Sequence, residues 1–258
     1  MGGDILIHAG DLTDRGTHEE LRSAFDWLLS LDNFTYKIFI SGNMDGIGLD
    51  NSHLSNREQK RCTLFRNNKN VIYLENDSCE VFGIKIYGCP YTPKFYGGFQ
   101  YPRQSVQAEM LWDRVPEDCD ILISHGPPAD FFDTNSRGVH VGCENLWNTI
   151  SKRDRLKAII FGHVHHSYGF KQKDNKWFIN ATQYNGIYQG DIRNQPFELY
   201  MQSWDKTVSQ VTTAFIKDGP RESGLGKDIC GGQPFFQNKH PTERNIIDAY
   251  LPEDNENF

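Results

Sequence analysis

Five polar side chains stand just beyond the ends of four apolar runs. Asp11 follows ILIHAG, Asn43 follows IFISG, His125 follows ILIS, and His163 and His165 follow AIIFG. One carboxylate, one amide and three imidazoles make a hard-to-intermediate donor set. It suits divalent cations of the manganese, iron, zinc or nickel class better than calcium, and the lack of thiolate speaks against a structural zinc finger. Asp11 is the natural bridge between two ions, because it alone carries two anionic oxygens. Two ions about 3.5–4 Å apart can clamp a phosphate and activate water for attack on phosphorus. The stretch FGHVHHSYG puts three of the chain's nine histidines into four positions. Taken singly, each residue has a simpler account: a solvated turn for His125, a cap for Asp11, turn chemistry for Asn43 ahead of Asp45 and Gly46. Their joint placement at four strand ends is what that account leaves unexplained.

Donors this far apart in sequence converge only if neighbouring chain reversals bring them together. An open α/β sheet does this, because the carboxyl ends of its parallel strands collect along one edge. DILIHAGD reads as a buried strand. Thr17 offers an N-cap with Glu19 and Glu20 in the first turn, and Leu21, Ala24, Phe25, Leu28 and Leu31 mark one face of a helix. YKIFISGN is the next strand, completing a βαβ unit with parallel pairing. A short helix is expected around Glu58 to Phe65. VIYL, CEVF and IKIYGCP read as strands, with a hairpin at VFGIKIY. Tyr91 to Arg103 is a long shaped loop, and Gln104 to Trp112 and Cys143 to Ile150 are helical. DILISHGPP and LKAIIFGHVHH are strand exits, SYGFKQKDNKWFINA is a hairpin about Asp174 and Asn175, and FELYMQSW is a late strand. Gly10, Gly42 and Gly162 directly precede the donors, as tight exits need. Residues 1–216 are expected to form one domain, and 217–258, rich in Gly, Pro and charge, an irregular extension that is a candidate for disorder.

The chain has 258 residues, enough for one sizeable α/β domain. Its formal charge of −7 and the absence of a basic stripe exclude a nucleic acid polymer as the expected partner. No apolar run reaches the length of a membrane span, so no membrane partner is expected. MGGDILIHAG has neither a basic n-region nor a cleavable apolar segment, and no leader is expected. Six cysteines lack C-x-x-C spacing and read as reduced, mostly buried thiols of a cytoplasmic protein. Oligomeric state is left open.

GDLTDRG at Gly10 to Gly16, GNMD at Gly42 to Asp45, SHGPP at Ser124 to Pro128 and GHVH at Gly162 to His165 resemble the blocks of the calcineurin-like metallophosphoesterases. CPYTPKFYGGFQYPR, HGPPADFFD, GVHVGCENL and GHVHHSYG resemble one subgroup, the metallophosphoesterase-domain-containing proteins related to fetal brain protein and class III cyclic nucleotide phosphodiesterases. The resemblance implies an α/β/β/α sandwich with a two-metal edge. By position, Asp11 would bridge the ions, Asn43, His125 and His163 would complete one site, and His165 would serve the other. Asp14 and Arg15 would shape the loop, His8 would be a structural imidazole and His166 would hold no metal.

Two departures follow. No D-x-H block precedes Asp11, so the sandwich is expected to lack its first strand, one ion of the family's two is left with only Asp11 and His165 and is a candidate for loss, and backbone groups beside the site would be exposed. The simplest expectation is that Met1 is not the natural start. Met44 stands where the family has the histidine thought to protonate the leaving oxygen, and a thioether has no proton to give. Asp45 would then be an ordinary turn carboxylate. The expected function is metal-dependent hydrolysis of phosphoric mono- or diesters, including cyclic or small nucleotides, weakened by both departures. Tyr91, Phe95, Tyr96, Phe99 and Tyr101 could stack on a base or equally pack on the core. The alternatives are a degenerate metal or nucleotide binder with little turnover, and an interaction protein acting through its tail.

Overall fold

Alternation along the first strand decides the architecture. In β1 (Gly3–His8), Ile5 and Ile7 face one way and Leu6 the other, and all three are buried. A strand buried on both faces needs a layer on each side. The computed structural model describes residues 3–49, 68–183, 194, 197–202, 208–214 and 245–250. It shows two six-stranded sheets stacked face to face with helices outside, the expected α/β/β/α sandwich.

The first sheet has the order β14-β12-β13-β1-β2-β3, with β2 (Phe34–Phe39), β3 (Val71–Tyr73), β12 (Phe197–Gln202), β13 (Val208–Ala214) and β14 (Asn245–Tyr250). The second runs β10-β11-β9-β8-β5-β4, with β4 (Asp77–Val81), β5 (Ile84–Cys89), β8 (Ile121–Ser124), β9 (Ala158–Phe161), β10 (Gly169–Lys173) and β11 (Lys176–Asn180). Between them lies a core dominated by isoleucine: Ile5, Ile7, Ile38 and Ile40 from one sheet meet Ile86, Ile121, Ile123 and Ile160 from the other. Burying each such side chain contributes about 1.5–3 kcal/mol before entropy is counted.

Helix α1 (His18–Leu29) covers the outer face of the first sheet, packing Ala24, Phe25 and Leu28 on Leu6 and Phe39. Its start is a capping box: Glu20 N–H donates to Thr17 Oγ1 at 3.2 Å and Thr17 N–H donates to Glu20 Oε2 at 3.0 Å. Helices α3 (Val106–Trp112) and α4 (Glu144–Ile150) cover the second sheet, setting Leu111, Trp112, Leu146 and Ile150 against Leu122, Ile159 and Phe161. A single turn, α2 (Gly46–Leu49), follows the Asn43 loop.

Both hairpins turn where the sequence places them. Phe82 and Gly83 join β4 to β5, and Asp174 and Asn175 join β10 to β11, each pair with positive φ, as a two-residue turn of matching twist requires. The Tyr91–Arg103 loop is closed by two short strands, β6 (Thr92–Pro93) and β7 (Gln100–Tyr101). Two expectations change. Strand β1 has no open edge, because β13 pairs with it in parallel on one side and β2 on the other, so its backbone groups are satisfied. Within 217–258, expected to be irregular, Asn245–Tyr250 form β14 in register with β12. The helix expected around Glu58 to Phe65 lies outside the described residues, as does the rest of 217–258.

Candidate metal centre

Strands β1 and β2 are adjacent and parallel in one sheet, and β8 and β9 in the other. Their carboxyl ends meet across the sandwich: His125 Nδ1, immediately after β8, lies 2.8 Å from the Ala9 carbonyl just after β1. Asp11, Asn43 and His163 leave the three other strand ends into the same space. The backbone must turn sharply there. Gly10 has φ of 95°, Asp11 56° and His163 66°, all in the left-handed region. Two of the three predicted glycine exits are obligatory. A Cβ on Gly42 would lie 2.2 Å from Asp11 Oδ1, and one on Gly10 2.7 Å from His125 Nδ1. The expectation fails at Gly162, where an added Cβ meets nothing within 4 Å and φ is not positive.

Ligand-capable atoms of Asp11, His125 and His163 lie within 4.8 Å of one another. Asp11 Oδ2 is 3.3 Å from His125 Nε2, and Asn43 Oδ1 is 3.0 Å from that same nitrogen. Since the Ala9 carbonyl takes the Nδ1 proton, Nε2 of neutral His125 presents a lone pair to two oxygens that are themselves acceptors. Three acceptors aimed at one point repel unless a proton or a cation lies between them. The donor set therefore fits a divalent cation.

Without a cation, a proton on His125 takes that place. Burial works against the Asp11 carboxylate, but the charge and hydrogen bond of His125, with His163 and the Met44 N–H at 2.9 Å, hold it down at about 2. Burial also opposes the charged form of His125. Asp11 and the Ala9 carbonyl overcome it and lift that pKa above its ordinary value. Burial and the neighbouring His125 press His163 down to about 3, so its lone pair is free for a cation.

The structure thus brings Asp11, Asn43, His125 and His163 together. His165 sits half-buried on the following 3-10 turn, His165–Ser167. Burial lowers its pKa, and it senses the charges of Asp11 and His125 without joining the tight group. His166, Asp14 and Arg15 are exposed. His8 is buried and accepts from Gly10 N–H at 3.2 Å, a structural contact, and burial lowers its pKa to about 4.

Asp45 is not an ordinary turn carboxylate. It is fully buried and accepts four hydrogen bonds: Thr13 N–H at 2.8 Å and Thr13 Oγ1–H at 2.7 Å on Oδ1, Leu12 N–H at 3.0 Å and Gly42 N–H at 2.8 Å on Oδ2. It ties the loop carrying Asp11 to the loop carrying Asn43. Burial and the charge of Asp11 push it up to about 7 against those four donors. The aromatic loop also divides. Phe99 and Tyr101 are buried, Tyr91 is half-buried, and Phe95 and Tyr96 are 76% and 60% exposed.

Among the described residues no helix is long and apolar enough to cross a membrane. Cys89, Cys119 and Cys143 are buried free thiols and Cys79 is half-buried. Comparison with known proteins matches residues 1–167 to the calcineurin-like phosphoesterase family model. The chain is 39% identical over 254 residues to a probable rhamnogalacturonate lyase C of Emericella nidulans, covering 91% of this chain and 23% of that protein. It is 36% identical over 204 residues to metallophosphoesterase domain-containing protein 1 of Homo sapiens, covering 72% of this chain and 62% of that one. A 3′,5′-cyclic-nucleotide phosphodiesterase of Nostoc is 25% identical over 183 residues, covering 69% of this chain and 61% of its own. The chain thus spans less than two thirds of the length of each of these relatives. With a family model matched over well more than half its length, and that family's polar blocks gathered at one edge of the sandwich, the chain belongs to the calcineurin-like phosphoesterases.

Proposed function

We propose that this protein hydrolyses phosphoric esters with the aid of divalent cations held by Asp11, Asn43, His125 and His163, with His165 at a second position. The observation that carries the reading is the convergence of acceptors on His125 Nε2, which a cation would relieve. When bound, such cations polarise a phosphoryl oxygen and lower the pKa of water, so that attack on phosphorus proceeds at neutral pH. The manganese, iron, zinc and nickel class fits the donors. The protein's own residues keep those donors in the needed state. Asp11 stays ionised, the Ala9 carbonyl fixes the His125 tautomer, and Asp45 holds the two carrying loops at a set distance. Met44 N–H steadies Asp11 Oδ1, but its side chain gives no proton to a leaving oxygen. Esters whose leaving group departs as a stable anion are therefore favoured. Small and cyclic nucleotides, whose leaving ribose oxygen departs slowly without that proton, are the proposed physiological class, supported by the cyclic-nucleotide phosphodiesterase among the relatives. The buried free thiols agree with a cytoplasmic setting.

The test is hydrolysis of bis(4-nitrophenyl) phosphate by protein loaded with Mn²⁺, with chelated protein and His125→Ala as controls. Turnover that needs the metal and vanishes in His125→Ala supports the reading. A protein that holds Mn²⁺ and shows no metal-dependent turnover is instead the low-activity binder that Met44 favours.

A further inference from the structure

Two large aromatic side chains on the Tyr91–Arg103 loop are left in water although the loop itself is tightly held. Phe95 and Tyr96 are largely exposed, whereas Phe99 and Tyr101, four and five residues on, are 0% and 1% exposed. The arms of the loop are paired: Thr92 N–H donates to the Phe99 carbonyl at 2.9 Å and Lys94 N–H to the Tyr101 carbonyl at 2.8 Å. The Gln100 side chain fastens the tip, accepting from Phe95 N–H at 3.1 Å and donating to the Tyr96 carbonyl at 2.5 Å. The tip is also locked to the candidate metal centre. Gly98 N–H donates to the Asn43 carbonyl at 2.9 Å, and a Cβ on Gly97 would lie 2.1 Å from that oxygen. This anchoring brings the Phe95 ring to 5.9 Å from that of His163 at an interplanar angle of 82°, and His163 stands 4.8 Å from His125. A pre-ordered aromatic surface at the mouth of a charged site is what recognition of a flat apolar group requires. Ring-on-ring contact is favourable to any planar system, and ordering the loop beforehand removes the entropy penalty from the binding step.

We propose that Phe95 and Tyr96 form a recognition wall at the metal centre that selects phosphoric esters bearing a flat aromatic group, aryl or nucleobase, over their alkyl counterparts. The inference rests on the phosphoesterase reading and specifies the substrate class of that site. The occupant is a planar ring because Phe95 adjoins His163, where the phosphate would sit, and an aryl group one ester bond away or a nucleobase across its ribose would reach it. Met44 points to the aryl members of that class from another direction, since aryl oxides leave without the proton that alkoxides, the ribose oxygens of nucleotides included, need.

The experiment separates recognition from leaving-group chemistry by holding the leaving group constant. Mn²⁺-loaded protein is assayed on bis(4-nitrophenyl) phosphate and on methyl 4-nitrophenyl phosphate, which expel the same anion and differ only in the group retained. The wild type is expected to prefer the diaryl ester, mainly through KM. Phe95→Ala and Tyr96→Ala should each shrink the diaryl-to-methyl ratio of kcat/KM roughly 5- to 100-fold, and Phe95→Trp should restore it. Equilibrium binding of phenyl phosphate and methyl phosphate to the Mn²⁺ protein forms a second arm that needs no turnover. A failure of hydrolysis alone would count against the phosphoesterase reading, while the binding arm would still judge the wall. Equal affinity of the wild type for phenyl and methyl phosphate, or a ratio unmoved by both alanine variants, overturns the proposal. So does a wild-type dimer that Phe95→Ala dissociates without changing ligand preference, because the aromatics would then face a second copy of the chain.

Discussion

Replacing Asp45 by asparagine is a near-isosteric change that probes how the Asp11 and Asn43 loops are held. At pH 8, above the pKa of about 7 to which burial and Asp11 push this group, the carboxylate is ionised and accepts all four of its hydrogen bonds. An amide has only one acceptor oxygen. With its NH₂ at the Oδ2 position, the N–H groups of Leu12 and Gly42 both lose their partner. With NH₂ at Oδ1, Thr13 Oγ1 can reverse its role and accept, but Thr13 N–H faces another donor. The second orientation costs less. It forfeits one hydrogen bond to a charged acceptor, worth about 1.5–3 kcal/mol, and leaves a buried N–H unsatisfied at about 1–3 kcal/mol. Relief of repulsion between Asp45 and Asp11 offsets part of this, so the net loss should be about 2–4 kcal/mol. Urea unfolding at pH 8 in chelator measures it, with an unchanged m-value, and Mn²⁺ affinity should fall alongside because both carrying loops loosen. A loss below about 0.5 kcal/mol with full metal affinity would refute the reasoning and return Asp45 to the rank of a solvated turn residue.

Gly42→Ala should abolish Mn²⁺ retention, since its Cβ would sit 2.2 Å from Asp11 Oδ1, whereas Gly162→Ala, with nothing within 4 Å, should keep the metal; metal analysis of the two purified variants checks both. The pKa of His8, lowered from 6.5 to about 4, means that the native state binds fewer protons than the unfolded chain across that window. Its share of stability therefore falls by about 3 kcal/mol as pH drops from 6.5 to 4. His8→Asn, which keeps an acceptor for Gly10 N–H, should flatten the stability–pH slope there by about one proton in urea titrations. Met44→His should raise turnover of alkyl esters, by up to about 10²–10⁴-fold, far more than that of aryl esters; equal gains on both would show that residue 44 is not positioned as the proton donor.

The sequence discloses the donors because each follows a strand whose own pattern is plain. Ile5 and Ile7, Ile38 and Ile40, and Ile121 and Ile123 alternate strictly, and a sheet buried on both faces leaves its polar groups only at the exits. Thr17 was equally readable, since its capping box lies within four residues. What escaped depends on contacts distant in sequence. Asp45 looks like turn chemistry because its neighbours in sequence are a methionine and a glycine, while three of its four hydrogen bonds come from Leu12 and Thr13, over thirty positions away. In sequence Gly162 is indistinguishable from Gly10 and Gly42, and only the crowding around each separates them. The loop aromatics follow no period, so nothing local distinguishes buried Phe99 from exposed Phe95. Strand β13 carries no local signal because VSQVTTA is only moderately apolar, and its place beside β1 comes from a pairing some two hundred residues apart.

The positive φ angles of Asp11 and His163 bear on how this domain would respond to stability engineering. An L-residue in that conformation costs about 1–2 kcal/mol relative to glycine freed of the same clash. At position 11 the Met44 N–H and His125 contacts of the carboxylate offset that strain, so the apoprotein gains nothing from glycine there. The strain left uncompensated is that of His163, whose imidazole is kept neutral and buried, and a selection for heat resistance alone would act on that position first.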